Sequence, residues 1–73
     1  MPLDARKRLN VRVNGDPAET EARTLAELIA SLGYSEGAVA TAVNGDFVAR
    51  GERGKRRLAP GDAVEIVAPR QGG

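Results

Sequence analysis

Leu25, Leu28, Ile29 and Leu32 recur at i, i+3, i+4 and i+7, with Thr24 before them and Gly33 after. That spacing sets four large apolar side chains in one stripe along an α-helix. Thr24 with Glu27 three residues later is the pattern of a capping box, and Gly33 suits the position just past a helix end. A helix with one apolar face must bury that face. The rest of the chain offers only short alternating segments, so the stripe has to lie on a sheet. The class this dictates is α+β, one helix covering one face of a sheet.

The segments around the helix supply the strands. Leu9, Val11 and Val13 alternate with Asn10, Arg12 and Asn14, the period of a half-buried strand. Asn14-Gly15-Asp16-Pro17 reads as a turn, with Pro17 presetting the exit, and Ala18, Thr20 and Ala22 form a weaker returning strand. After a connecting loop at 34–37, residues 38–43 are apolar and rich in β-branched side chains. Asn44-Gly45 then signals a hairpin whose second arm is Phe47-Val48-Ala49. The Gly-punctuated, basic stretch 50–57 reads as a solvated loop. Leu58 re-enters the core, Pro60-Gly61-Asp62 turns the chain, and Val64 and Ile66 mark a last strand. The order is ββαβββ. The expected core is Val11, Val13, Leu25, Leu28, Ile29, Leu32, Val43, Leu58, Val64 and Ile66. The pattern leaves open which sheet face each strand residue occupies. The alanines of the middle strands leave one side with little bulk, either a wet surface or a docking face.

Composition narrows the function more by exclusion than by suggestion. Seventy-three residues make one small domain. Without cysteine there is no disulfide or thiolate metal site, and without histidine the usual general base and commonest metal ligand are missing. A net charge of +1 argues against bulk capture by nucleic acid or membrane. No apolar run spans a bilayer, and no apolar segment of the signal-peptide kind follows Arg6-Lys7-Arg8. A cytoplasmic protein, monomeric when alone, is the expectation. Residues 1–8 are expected to form a flexible N-terminal segment and residues 9–67 the folded domain.

Residues 68–73 form a tail, Ala-Pro-Arg-Gln-Gly-Gly. One reading is a frayed end, as termini commonly are. The sharper reading makes the terminal carboxylate the working group. Lacking Cβ atoms, Gly72 and Gly73 can pass through a narrow channel, and an extended tail reaches roughly 20 Å into a partner.

The chain resembles the ThiS family of thiamin-biosynthesis sulfur carriers, ubiquitin-like proteins of the β-grasp fold. The resemblance lies in Val13-Asn14-Gly15, Thr24-Leu25-Ala26-Glu27-Leu28, Leu32-Gly33 and Val39-Ala40-Thr41-Ala42-Val43-Asn44-Gly45. It continues through Pro60-Gly61-Asp62-Ala63-Val64-Glu65-Ile66-Val67 to Gln71-Gly72-Gly73. It implies a mixed sheet of four to five strands with strands one and five parallel at its centre. It also implies that Gly73 is adenylated by an E1-like enzyme (ThiF type) using ATP and Mg²⁺. A persulfide donor then converts it to a thiocarboxylate that serves thiazole synthase (ThiG type). Gly72, Gln71 and Arg70 would thread the partner's channel. The chain itself would bind no cofactor and would be a co-substrate, not an enzyme, since it has no GxxxxGK[ST] phosphate loop and no thiol or imidazole. Three features depart from the family: Ala49-Arg50 in place of Pro-Arg, a more basic stretch at 51–57, and Pro69-Arg70 in the tail.

Other readings compete. The small subunit of molybdopterin synthase shares the fold and the Gly-Gly end, but Phe47-Val48-Ala49-Arg50 and Gln71 look more like the thiazole carrier. A ubiquitin-like modifier would use the same activated glycine. An RNA-binding module would use Arg50, Arg53, Lys55, Arg56 and Arg57, yet Tyr34 and Phe47 are the only aromatics and offer no stacking platform. Outward-facing Glu65 and Val67 are either ordinary sheet surface or a partner contact.

Overall fold

The computed structural model describes residues 7–68. Its elements follow in the order β1 (Leu9–Val13), β2 (Asp16–Thr20), α1 (Leu25–Ser31), β3 (Ala40–Val43), β4 (Asp46–Val48) and β5 (Ala63–Val67). Short 3-10 turns at Glu36–Ala38 and Arg50–Glu52 flank the second hairpin. The strands form one sheet in the order β2-β1-β5-β3-β4. β1 and β5 run parallel, while β1–β2, β3–β4 and β3–β5 are antiparallel. This is the β-grasp topology, and it puts β5 in the middle of the sheet.

Both hairpins close through the same two residues. Val13 faces Asp16 across Asn14-Gly15, and Val43 faces Asp46 across Asn44-Gly45. Asn14 and Asn44 each have φ of 53°, followed by Gly15 at 88° and Gly45 at 86°. Two successive positive φ values define the type I′ turn, whose twist matches that of the flanking strands. Asp16 and Pro17 therefore belong to β2 rather than to the turn. Pro17 is tolerated there because β2 lies at the sheet edge.

α1 forms as its capping residues require. Thr24 has extended backbone, and its hydroxyl accepts the Glu27 N–H at 3.2 Å. The Glu27 carboxylate reaches back to the Arg23 N–H at 2.8 Å, one residue before the cap. At the other end the N–H of Gly33 donates to Ala30 and that of Tyr34 to Ile29, with Gly33 at a φ of +87°. Those two bonds make a Schellman motif. Leu25, Leu28 and Ile29 are fully buried and pack with Val43, Val64, Ile66 and Leu58. Burial of each such side chain contributes about 2 kcal/mol.

Three expectations need correcting. Leu32 is 46% exposed rather than in the core: helix α1 ends at Ser31, so Leu32 is its cap residue and stands at the uncovered end of the apolar stripe. Val13 is half-buried at the margin of the core. The basic stretch is not uniformly solvated, because Arg53 is buried inside it. The core also takes in Ala22, Val39 and Val48, with Thr20 and Thr41 buried beside them. β3 begins at Ala40, after a 3-10 turn that includes Ala38.

Candidate functional site

Gly73, Gly72, Gln71 and Arg70, expected to be the working tail, lie outside the described residues. What the structure does describe is the root from which that tail leaves. β5 ends at Val67, the middle strand of the sheet, so the chain exits from the centre of the domain rather than from an edge.

Two asparagines hold β5 from opposite flanks. β1 pairs with β5 only through Arg12–Ala63 and Val13–Val64 before it turns away. The Asn14 backbone N–H then donates to Val64 O at 2.8 Å. Its carboxamide continues the ladder, accepting the Ile66 N–H at 2.8 Å and donating to Ile66 O at 3.1 Å. A side-chain amide thus does the work of a strand residue, one step before Val67. On the other flank, the Asn44 N–H donates to Ala63 O at 2.7 Å, and its carboxamide oxygen accepts the Ala63 N–H at 2.9 Å. Its amide nitrogen donates to Asp62, whose other carboxylate oxygen accepts the Ala59 N–H at 2.8 Å. The Asn-Gly pairs were legible as turns. Their grip on β5 was not, because it joins residues 52 positions apart at Asn14 and 19 apart at Asn44.

Arg53 supports the other end of β3. Its Nε donates to Thr41 Oγ1 at 3.0 Å, and its two terminal nitrogens donate to Glu36 O and Val39 O, both at 2.7 Å. Thr41 passes the chain on, donating to Val48 O at 2.9 Å. The planar fork of the guanidinium satisfies three oxygens in three directions, which a lysine ammonium on one point of attachment does not match. This cation fastens the 3-10 turn Glu36–Ala38 and strand β4 to β3, and is not available for RNA.

The face of the sheet away from α1 is open. Ala40, Ala42, Phe47, Glu65 and Val67 line a shallow groove of about 140 Å³ on it. Phe47 is 72% exposed and Val67 60%. Val67 lies opposite Ala40, and Ala42 opposite both Phe47 and Glu65. The small alanines are what leave the groove between the larger side chains. Glu65 and Val67 point outward as expected. A second cleft, of about 260 Å³, lies on the outer side of β4, between Phe47 to Ala49 and Glu52, Lys55 and Arg56. No cluster of acidic side chains among the described residues has the makings of a metal site, and none of their helices is long and apolar enough to cross a membrane.

A central strand that feeds the terminal segment, on a β-grasp body with one bare sheet face, defines a ubiquitin-like domain. Comparison narrows the class. The sequence profile of the ThiS family matches residues 11–73, and the chain belongs to that family. It is 38% identical over 63 residues to the sulfur carrier protein ThiS of Thermus thermophilus, covering 86% of this chain and 98% of that one. The crystal structure of the thiamine biosynthesis protein ThiS from Geobacter metallireducens superposes with a TM-score of 0.73 at 29% identity, over 89% of this chain and all of that one. The solution structure of a thiamine biosynthesis protein from the same organism gives 0.74 at 28% identity, over 89% and 88%.

Proposed function

We propose that this protein is a sulfur carrier of thiamin biosynthesis, working in the cytoplasm, with the Gly73 carboxylate as the group that carries the sulfur. The observation that carries the reading is the family match running through residue 73, on a body whose central strand leads directly into that tail. The chain lacks cysteine and histidine, so thiol and imidazole chemistry falls to its partners.

A carboxylate is a poor acyl donor because oxide would have to leave. In the proposed cycle a Gly73 carboxylate oxygen attacks the α-phosphorus of ATP on an E1-like enzyme, and pyrophosphate departs with Mg²⁺ balancing its charge. The product is a mixed anhydride whose leaving group is AMP. The terminal sulfur of a donor persulfide attacks the carbonyl carbon, forming a C–S bond as the C–O bond to AMP breaks. A second thiol attacks the donor's own sulfur in the resulting acyl disulfide, so the S–S bond breaks, the donor leaves in a new disulfide, and the transferred sulfur stays on Gly73 as a thiocarboxylate. This anion keeps a soft nucleophile tethered until thiazole synthase takes it. The protein contributes the acyl group, the tail's reach and a rigid root held by Asn14 and Asn44. Gly72, Gln71 and Arg70 thread the partner's channel, and the open face around Phe47 and Val67 gives the body a surface on which to dock.

The test is reconstitution. With its adenylating enzyme, ATP and a persulfide donor, the protein should gain the mass of one oxygen exchanged for sulfur, and deletion of Gly73 should abolish the gain while far-UV circular dichroism stays unchanged. Gain of mass in the deleted form, or none in the native protein, would refute the reading.

A further inference from the structure

Phe47 is a ridge between two clefts. On one side lies the apolar groove of the open sheet face, on the other the cleft walled by Glu52, Lys55 and Arg56. An aromatic ring 72% exposed on an edge strand contributes little to the fold. Rigid aromatics of this kind are what dominate protein interfaces.

The charge beside the ridge is also one-sided. Arg50 pairs with Glu36 at 3.7 Å, and at the opposite edge of the sheet Arg8 pairs with Glu19 and Glu21. Lys55, Arg56 and Arg57 make no ion pair among the described residues. One carboxylate, Glu52, shares the cleft with Lys55 and Arg56. Of the described cations without an ion pair, Lys55 and Arg56 are the two that line the cleft on the outer side of β4, while Lys7, Arg12 and Arg23 lie elsewhere on the body. The stretch that carries them is held rigidly, through buried Arg53 and through Leu25 N–H donating to Arg56 O at 2.9 Å.

We propose that the adenylating enzyme grips β4 from both sides of Phe47, seating the ring in an apolar socket rimmed by carboxylates that meet Lys55 and Arg56. This rests on the sulfur-carrier reading and adds to it which edge of the body is held and what chemistry the partner presents. A carrier that is loaded and then passed on needs fast, reversible docking. Charge complementarity at the rim of a contact supplies that by raising the association rate, at the cost of sensitivity to salt.

The experiment measures steady-state loading of the full chain by its adenylating enzyme, read by intact mass, at low and high salt. Lys55→Gln with Arg56→Gln should raise KM for the carrier by about tenfold, leave kcat unchanged and flatten the dependence of kcat/KM on salt. Phe47→Ala should raise KM at least as much with the salt dependence retained. Thermal unfolding should be unchanged in both, which separates docking from folding. If the native protein loads normally and the variants match it in KM and salt dependence, this docking edge is wrong while the role of Gly73 stands. If the native protein is not loaded at all, both fall. Tight binding of poly-uridylate that is lost in the Lys55/Arg56 variant, with unaltered loading, would assign the cations to nucleic acid instead and overturn the proposal.

Discussion

Arg53 and Asn14 are polar side chains that each bond several groups distant in the sequence. Arg53→Met would leave Glu36 O, Val39 O and Thr41 Oγ1 without their donor in or beside the core. A loss of about 3 kcal/mol is expected, since each buried acceptor left unpaired costs about 1–3 kcal/mol and some regain water. Urea unfolding should show it, and Arg53→Lys should recover less than half, because one ammonium cannot serve three directions. Asn14 has two roles that a pair of variants separates. Asn14→Gly keeps the positive φ and removes both bonds to Ile66, whereas Asn14→Ala loses the bonds and adds strain at a φ of 53°. The glycine variant should cost about 1–2 kcal/mol and the alanine variant about 1 kcal/mol more. Amide hydrogen exchange at Ile66 and Val67 should accelerate in both.

At the scale of elements, α1 is short enough that its ends matter as much as its stripe. Thr24→Ala removes the acceptor for the Glu27 N–H and should cost about 1 kcal/mol by thermal unfolding. For a domain of this size that is a fall in Tm of roughly 4–8 °C. The helix and both hairpins were readable from the sequence because each is specified by neighbours: a cap, a 3.6-residue period, an Asn-Gly pair between alternating strands. The same logic set the parallel pairing of β1 and β5 only by resemblance, since nothing local encodes contact between residues 12 and 63. The misreadings share that cause. Leu32 fits the helical period and its N–H still donates to Leu28 O, but as the C-cap residue it lies at the end of the stripe, where burial stops. Arg53 looks like its exposed neighbours in the sequence, and only the return of 36–41 to surround it makes it a core residue. Val48 lay in an expected strand arm whose buried face the register alone decides.

The described part of the molecule is one five-stranded sheet under one helix, and the chain continues from its central strand. A sheet with one face on α1 and the other bare leaves the groove around Phe47 beside the end of β5, so on the proposed reading a partner holding β4 sits close to the strand from which the chain continues. The candidate site, which lies outside the described residues, was read from the two glycines at the tail's end and from the resemblance to the ThiS family. The docking edge was not, because Phe47, Lys55 and Arg56 come together through the packing of 50–57 against β4. Intact and tandem mass spectrometry of the protein isolated from its own cells, grown without thiamin, addresses the central claim most directly. The account predicts a fraction of molecules with one oxygen replaced by sulfur, the exchange localised to Gly73. A carboxylate at Gly73 in every molecule, in cells that are making the vitamin while its consumption is blocked, would contradict it.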